Sequence, residues 1–207
     1  MPPPGDVGRL RPEETPADAP SRQGKVYERT VAPPLAFLQW LLQNPERLQV
    51  RDGTSFGAKS PDTIAWRKKL LSGDPKQVEE AQAEARRQLS KRLGVHGRGK
   101  WWAFEGFTNV DCCLVTDRCV VFIEGKRTDV LSDSTLWYVG RSQLWRNVEA
   151  ARELAAGKEF GVVLAVEEGD HGQTAVELAD RTLSNSYPHL SPADQKNLNR
   201  HFLGFVT

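Results

Sequence analysis

Apolar positions recur along this chain with two different periods, and the change from one to the other marks its architecture. Over residues 35–42, Phe37, Leu38, Trp40, Leu41 and Leu42 give a broad apolar side behind Pro33 and Pro34, which predicts a helix stopping near Pro45. Ser60, Pro61 and Asp62 open a second helix, in which Ile64, Trp66, Leu70 and Leu71 lead to Gly73. Asp74 and Pro75 start a third over residues 75–93, with Val78, Ala81 or Gln82, Ala85, Leu89 and Leu93 as a narrow stripe. The period then shortens. Residues 101–105 are aromatic-rich and predict a first strand, with a turn over 106–109. Between residues 110 and 127 two short β-branched runs flank the polar break Thr116, Asp117 and Arg118, which predicts a hairpin. A helix over 141–156 carries Leu144, Val148, Ala151 and Ala155 on its buried side, and Gly157 stops it. Residues 160–166 hold no polar side chain, as in a strand buried on both faces. The helix between two such strands is a crossover, right-handed by strong precedent. Residues 178–183 predict a short helix, and Ser191, Pro192 and Asp194 start another running to about Phe202, with Gly204 as its stop. Phe205, Val206 and Thr207 allow one more strand.

The hairpin register concentrates chemistry. With Asp117 and Arg118 as the turn, Thr116 faces Cys119, Val115 faces Val120 and Asp111 faces Glu124. Directly opposite residues share a face, with Cβ atoms about 4.5–5.5 Å apart. Glu124 and Lys126 share a face too, because side chains alternate with period two. Two carboxylates and an amine therefore converge on one patch. Both acids stand at the ends of largely apolar strands, where unpaired charge is expensive. A structural ion pair with Lys126 needs one acid, not two, so a functional trio outweighs a salt bridge.

Composition changes this picture only locally. The chain has 207 residues, enough for one domain over residues 31–207 plus a tail. Residues 1–30 hold six prolines and few large apolar side chains, and read as a disordered tail. Net charge is +1, so no global field advertises a polyanionic partner. Residues 59–100 carry eleven Lys and Arg against five acids, a mild argument for an anionic partner, but on this feature alone a solvated helix face is the better reading. Cys112, Cys113 and Cys119 all sit in the hairpin with no metal-knuckle spacing, so small residues in a reducing compartment are expected. No cationic-then-apolar leader opens the chain and no apolar run approaches the ~20 residues of a membrane span, which makes a soluble cytoplasmic protein the expectation. Gly94, Gly99 and Lys100 spell part of a phosphate loop, but Trp101 follows where Ser or Thr is required.

The order helix, strand, strand, strand, helix, strand, with Asp111 and then Glu124, Gly125 and Lys126, resembles the PD-(D/E)xK nuclease superfamily over roughly residues 75–167. The segments WAFEGFTNVD (102–111) and RSQLWRN (141–147) look like a bacterial group within it that carries no specific activity over to this chain. The resemblance implies an α/β restriction-endonuclease-like core, a mixed sheet flanked by helices, with the N-terminal helices as additions. It implies a Mg²⁺- or Mn²⁺-dependent nuclease acting on DNA. Asp111 and Glu124 would hold the metal, with the Gly125 carbonyl as a further ligand, and Lys126 would activate water or stabilise charge. Glu105 is the preferred extra acid, with Glu80 and Glu84 on the third helix as the alternatives. Gln143, Arg146 and Asn147 match the polar positions of the crossover helix, where they would bind phosphate or position the lysine, and Arg141 would reach a phosphate. The competing readings are a catalytically inactive nuclease-fold module binding nucleic acid or a partner protein, and an interaction domain using the aromatic helices. A homo-oligomer is compatible with either. Trp101, Trp102, Trp137 and Tyr138 are candidates for base stacking or for the core, and His96, His171, His189 and His201 read as surface residues.

Overall fold

A computed structural model describes residues 29–31, 33–49, 60–90, 104–105, 108–126, 131–135, 137–166, 177, 181–183 and 185–207. They divide into two compact units, one built on a sheet (residues up to 31, 108–133 and 140–207) and one on helices (32–107 and 134–139). The expectations for residues 1–28, 91–103 and 106–107 lie outside the described residues. Among those described, no helix is long and apolar enough to cross a membrane.

In the helical unit, α1 (Leu35–Gln43) and α3 (Pro75–Ser90) bury the faces their periodicity marks, whereas α2 (Pro61–Leu70) buries Thr63, Arg67 and Leu70 and leaves the expected Ile64 and Trp66 half-buried. Phe37, Leu38, Leu41, Leu42, Leu70, Ala81, Ala85 and Leu89 form the core with Phe104, Trp137 and Tyr138. Trp137 and Tyr138 pack 6.2 and 6.3 Å from the Phe37 ring, so they are core residues rather than stacking platforms. Phe104 and Glu105 belong to no strand, which corrects the end of the strand expected over 101–105. Arg67 is fully buried with its guanidinium 4.6 Å from the Phe104 ring centroid, and burial lowers its pKa to about 10.

In the sheet unit, β1 (Arg29–Val31) pairs antiparallel with β2 (Thr108–Val110). Arg29 and Thr30 therefore stand in a strand instead of a tail, and Thr108 and Asn109 in a strand instead of a turn. A second sheet has the order β3 (Cys112–Val115), β4 (Cys119–Lys126), β5 (Glu159–Val166), β6 (Phe202–Val206). β3 and β4 are antiparallel while β4–β5 and β5–β6 are parallel, so the sheet is mixed. The expected hairpin register holds, with Val115 opposite Val120. Thr116 explains the tight turn: its N–H donates to the Cys119 carbonyl at 2.8 Å, and its hydroxyl accepts from the Arg118 and Cys119 amides at 3.1 and 2.9 Å. Cys113 is buried, Cys112 and Cys119 half-buried.

Helix α4 (Gln143–Ala155) connects the parallel strands β4 and β5 and lays Leu144, Val148, Ala151 and Ala155 into a core with Phe122, Val162 and Leu164. Helix α5 (Pro192–Asn199) is capped by Ser191, whose hydroxyl accepts from the Asp194 amide. It stops at Asn199, earlier than expected, because Phe202 already belongs to β6 parallel to β5. The described part of 177–186 is helical, in line with a short helix there.

Candidate active site

Strand β4 alternates strictly: Val120, Phe122 and Glu124 point into the core beside α4, with half-buried residues between them. Glu124 thus sits where its neighbours at i−2 and i−4 are apolar, only 2 % exposed. A carboxylate in that position requires partners, and it has four contacts. Its Oε1 lies 3.0 Å from Lys126 Nζ and accepts from Gln143 Nε2 at 2.5 Å. Its Oε2 accepts from Asn147 Nδ2 at 3.0 Å. The fourth is electrostatic and unfavourable. Burial first, and then the nearby Asp111 carboxylate, push the Glu124 carboxyl up, while Lys126 and Asn147 oppose the shift; the net direction is upward.

Asp111 occupies the single residue between β2 and β3 and is exposed. Extending the β3–β4 register by one step puts it opposite Glu124. Its Oδ2 accepts from the Gly125 amide at 3.0 Å, which pins the acid to the end of β4. Gly125 thus contributes its N–H to this contact. A Cβ at Gly125 would lie 3.6 Å from Asp111 Oδ2, so the glycine keeps the surface over the acids low.

The expected trio of Asp111, Glu124 and Lys126 is therefore assembled, and Gln143 and Asn147 join it by binding the carboxylate itself. Arg146 donates instead to the Thr108 hydroxyl at 3.3 Å. Arg141 does not reach out toward a phosphate: it is fully buried, with Nη1 2.9 Å from Glu149 Oε2 and donating to the Ser186 carbonyl at 2.8 Å. Glu84 and Glu105 belong to the helical unit. There Glu84 pairs with Arg87 and accepts from Gln88 at 2.9 Å, and Glu105 is buried.

One of the two described histidines departs from the expected surface position, and the other, His201, is half-exposed. His189 is buried against Glu149, with Nε2 2.6 Å from Oε1. His201 stacks on Phe160 with ring centroids 3.8 Å apart. Histidines 96 and 171 lie outside the described residues. Glu149 itself was missed. Its signal was an acid inside the apolar half of a helix, but its partners Arg141 and His189 lie far enough away in sequence that no local pattern pairs them.

Among the described residues no group of three or more His, Cys, Asp or Glu gathers as a metal cluster. The pair of acids nonetheless fits a hard cation that keeps most of its waters and needs only one or two carboxylates. Asn147, which holds Glu124 through Nδ2, keeps a buried Oδ1 with no hydrogen-bond partner among the described residues, an acceptor left over beside the pair. No family model, curated protein or solved structure matches this chain.

Proposed function

We propose that this protein is a metal-dependent nuclease of the PD-(D/E)xK type, hydrolysing phosphodiester bonds in DNA. The observation that carries the reading is the arrangement at the end of β4. Asp111 and Glu124 lie on adjoining strand ends, Lys126 stands 3.0 Å from Glu124, and Gln143 and Asn147 hold the Glu124 carboxylate from α4. The restriction-endonuclease-like core is part of the same proposal, supported by the order α3, β2, β3, β4, α4, β5 and by the mixed sheet.

Asp111 and Glu124 would hold Mg²⁺ or Mn²⁺. The bound cation would supply charge neutralisation at the scissile phosphate and a more acidic water. The chain's own residues do the rest. Asp111 is held by the Gly125 amide through Oδ2 while the residue stays exposed. Gln143 and Asn147 fix the plane of the Glu124 carboxylate. Lys126 is 14 % exposed at its side chain, which leaves its ammonium reachable by a water or a phosphate oxygen once it releases Glu124. There it would orient the attacking water or offset charge on the phosphorane. Gly125 lets the phosphate approach without meeting a side chain.

One observation favours the second reading, an inactive nuclease-fold module that binds nucleic acid or protein. Glu124 is 2 % exposed and both its oxygens are already engaged. The deciding experiment is cleavage of mixed single- and double-stranded DNA, with an RNA arm, in Mg²⁺, Mn²⁺ or EDTA, by wild type and Lys126→Ala. Metal-dependent cleavage that Lys126→Ala loses is expected. Equal cleavage by both proteins overturns the mechanism, and DNA binding without cleavage by either favours the module.

A further inference from the structure

Helix α4 makes its two contacts with Glu124 through residues one turn apart, Gln143 and Asn147. At about 100° per residue these lie on one flank of the helix. The apolar stripe Leu144, Val148, Ala151 and Ala155 lies about 100° further round and packs into the core. Three of these four stripe residues, Val148, Ala151 and Ala155, are small or β-branched, and such a stripe does not by itself resist a small roll of the helix about its own axis. Yet Gln143 and Asn147 deliver their donors within 3.0 Å of two different oxygens, which a roll would spoil.

The opposite flank supplies the missing restraint. Trp145 stands two residues beyond Gln143 and Glu149 two beyond Asn147, each about 200° round the helix. Both are gripped by one segment, residues 186–189. The Tyr187 hydroxyl donates to the Trp145 carbonyl at 2.7 Å, and His189 Nε2 lies 2.6 Å from Glu149 Oε1. At the helix start, Ser186 Oγ accepts from the Ser142 amide at 3.1 Å and donates to the Gly140 carbonyl at 2.5 Å. The Ser142 side chain makes no capping hydrogen bond, so the helix start is held from outside instead. Arg141 closes the network, bridging the Ser186 carbonyl and Glu149. Every one of these side chains is buried.

We infer that residues 186–189 form a strap that sets the roll of α4 and so positions Glu124, with Glu149 and His189 as positioning residues that never touch the substrate. The kinetic consequence rests on the nuclease reading; the geometric one does not. Glu149 is unsuited to any direct role, being fully buried on the far flank of the helix from Glu124.

The test compares His189→Leu, which removes the donor to Glu149, with His189→Gln, which keeps one. In ¹H–¹⁵N spectra the side-chain NH₂ groups of Gln143 and Asn147 report their bonds to Glu124, and Glu124→Leu supplies the reference for bonds broken. His189→Leu is expected to move both NH₂ pairs toward that reference, and His189→Gln to leave them near wild type. In cleavage assays His189→Leu should lower kcat about tenfold at unchanged KM for DNA, with His189→Gln restoring it. The spectra decide the strap even if wild type cleaves nothing, which would instead end the nuclease reading. Unmoved NH₂ resonances in a folded His189→Leu would overturn the proposal. Should that variant fail to fold, Tyr187→Phe, which loses only the hydroxyl bond to Trp145, carries the same spectral test.

Discussion

Replacing Arg141 by alanine should destabilise this protein far more than the loss of an exposed charge. Arg141 and Glu149 are both fully buried, and their contact is 2.9 Å. Removing one partner of such a pair leaves a charge in the interior with its desolvation uncompensated, typically about 3–5 kcal/mol. His189 at 2.6 Å and Arg152 at 3.4 Å still face Glu149, which places the expectation at the lower end, about 3 kcal/mol. The Ser186 carbonyl loses its guanidinium donor as well, so the figure should not fall far below that. For a chain of this size each kcal/mol moves the midpoint by about 2–4 °C, so a drop of about 6–12 °C follows. Thermal and urea unfolding of Arg141→Ala against wild type measures it. Arg141→Met combined with Glu149→Leu should recover most of the loss, because both charges leave together. Glu80→Ala, which removes an exposed partner of Lys69, serves as a control and should leave the midpoint unchanged. A loss below about 1 kcal/mol for Arg141→Ala would refute the reasoning, since the pair would then be solvated in solution.

The same network gives a pH dependence. Burial alone would push the Glu149 carboxyl up, but Arg141 and then His189 outweigh it and hold it below the usual glutamate value of 4.5. A depressed carboxyl stabilises the fold fully above its unfolded value and loses that contribution as pH falls through the folded one. The deficit of Arg141→Ala should therefore shrink in unfolding titrations taken from pH 7 to below 4.5, and a deficit constant across that range would contradict the assignment. Gly140 has φ +91° and a Cβ there would meet Asn185 Cβ at 2.6 Å, so Gly140→Ala should destabilise by about 1–3 kcal/mol in urea unfolding. Gly125→Ala should fold normally, since its Cβ finds only ordinary contact at 3.6 Å from Asp111, but it should weaken cleavage and DNA binding by obstructing phosphate approach. Lys126→Ala should lower metal-dependent DNA cleavage about 10²–10⁴-fold, the range of a single proton-transfer group.

Local pattern reaches a long way in this protein, and then stops. The period-two alternation around Thr116, Asp117 and Arg118 was enough to derive the register of β3 and β4, because a two-residue turn leaves only one pairing that keeps both apolar faces inward. That register alone brings Asp111, Glu124 and Lys126 together. The 3.6-residue stripe of α4 likewise showed which side enters the core, and Gln143 and Asn147 emerged beside it. What folding in three dimensions decided is who meets the buried charges. Arg141 is an exposed-looking residue at a helix start, and only the arrival of Ser186 and Glu149 turns it inward. His189 has no neighbour in sequence that marks it as buried, and Trp137 and Tyr138 could equally have faced solvent. The pairing of Arg29–Val31 with Thr108–Val110 joins strands too short to announce themselves. Periodicity encodes the direction of a face, since it follows from backbone geometry repeated residue by residue. The partner of a buried polar group is set by whichever distant segment packs against it, and a single sequence carries no local trace of that choice.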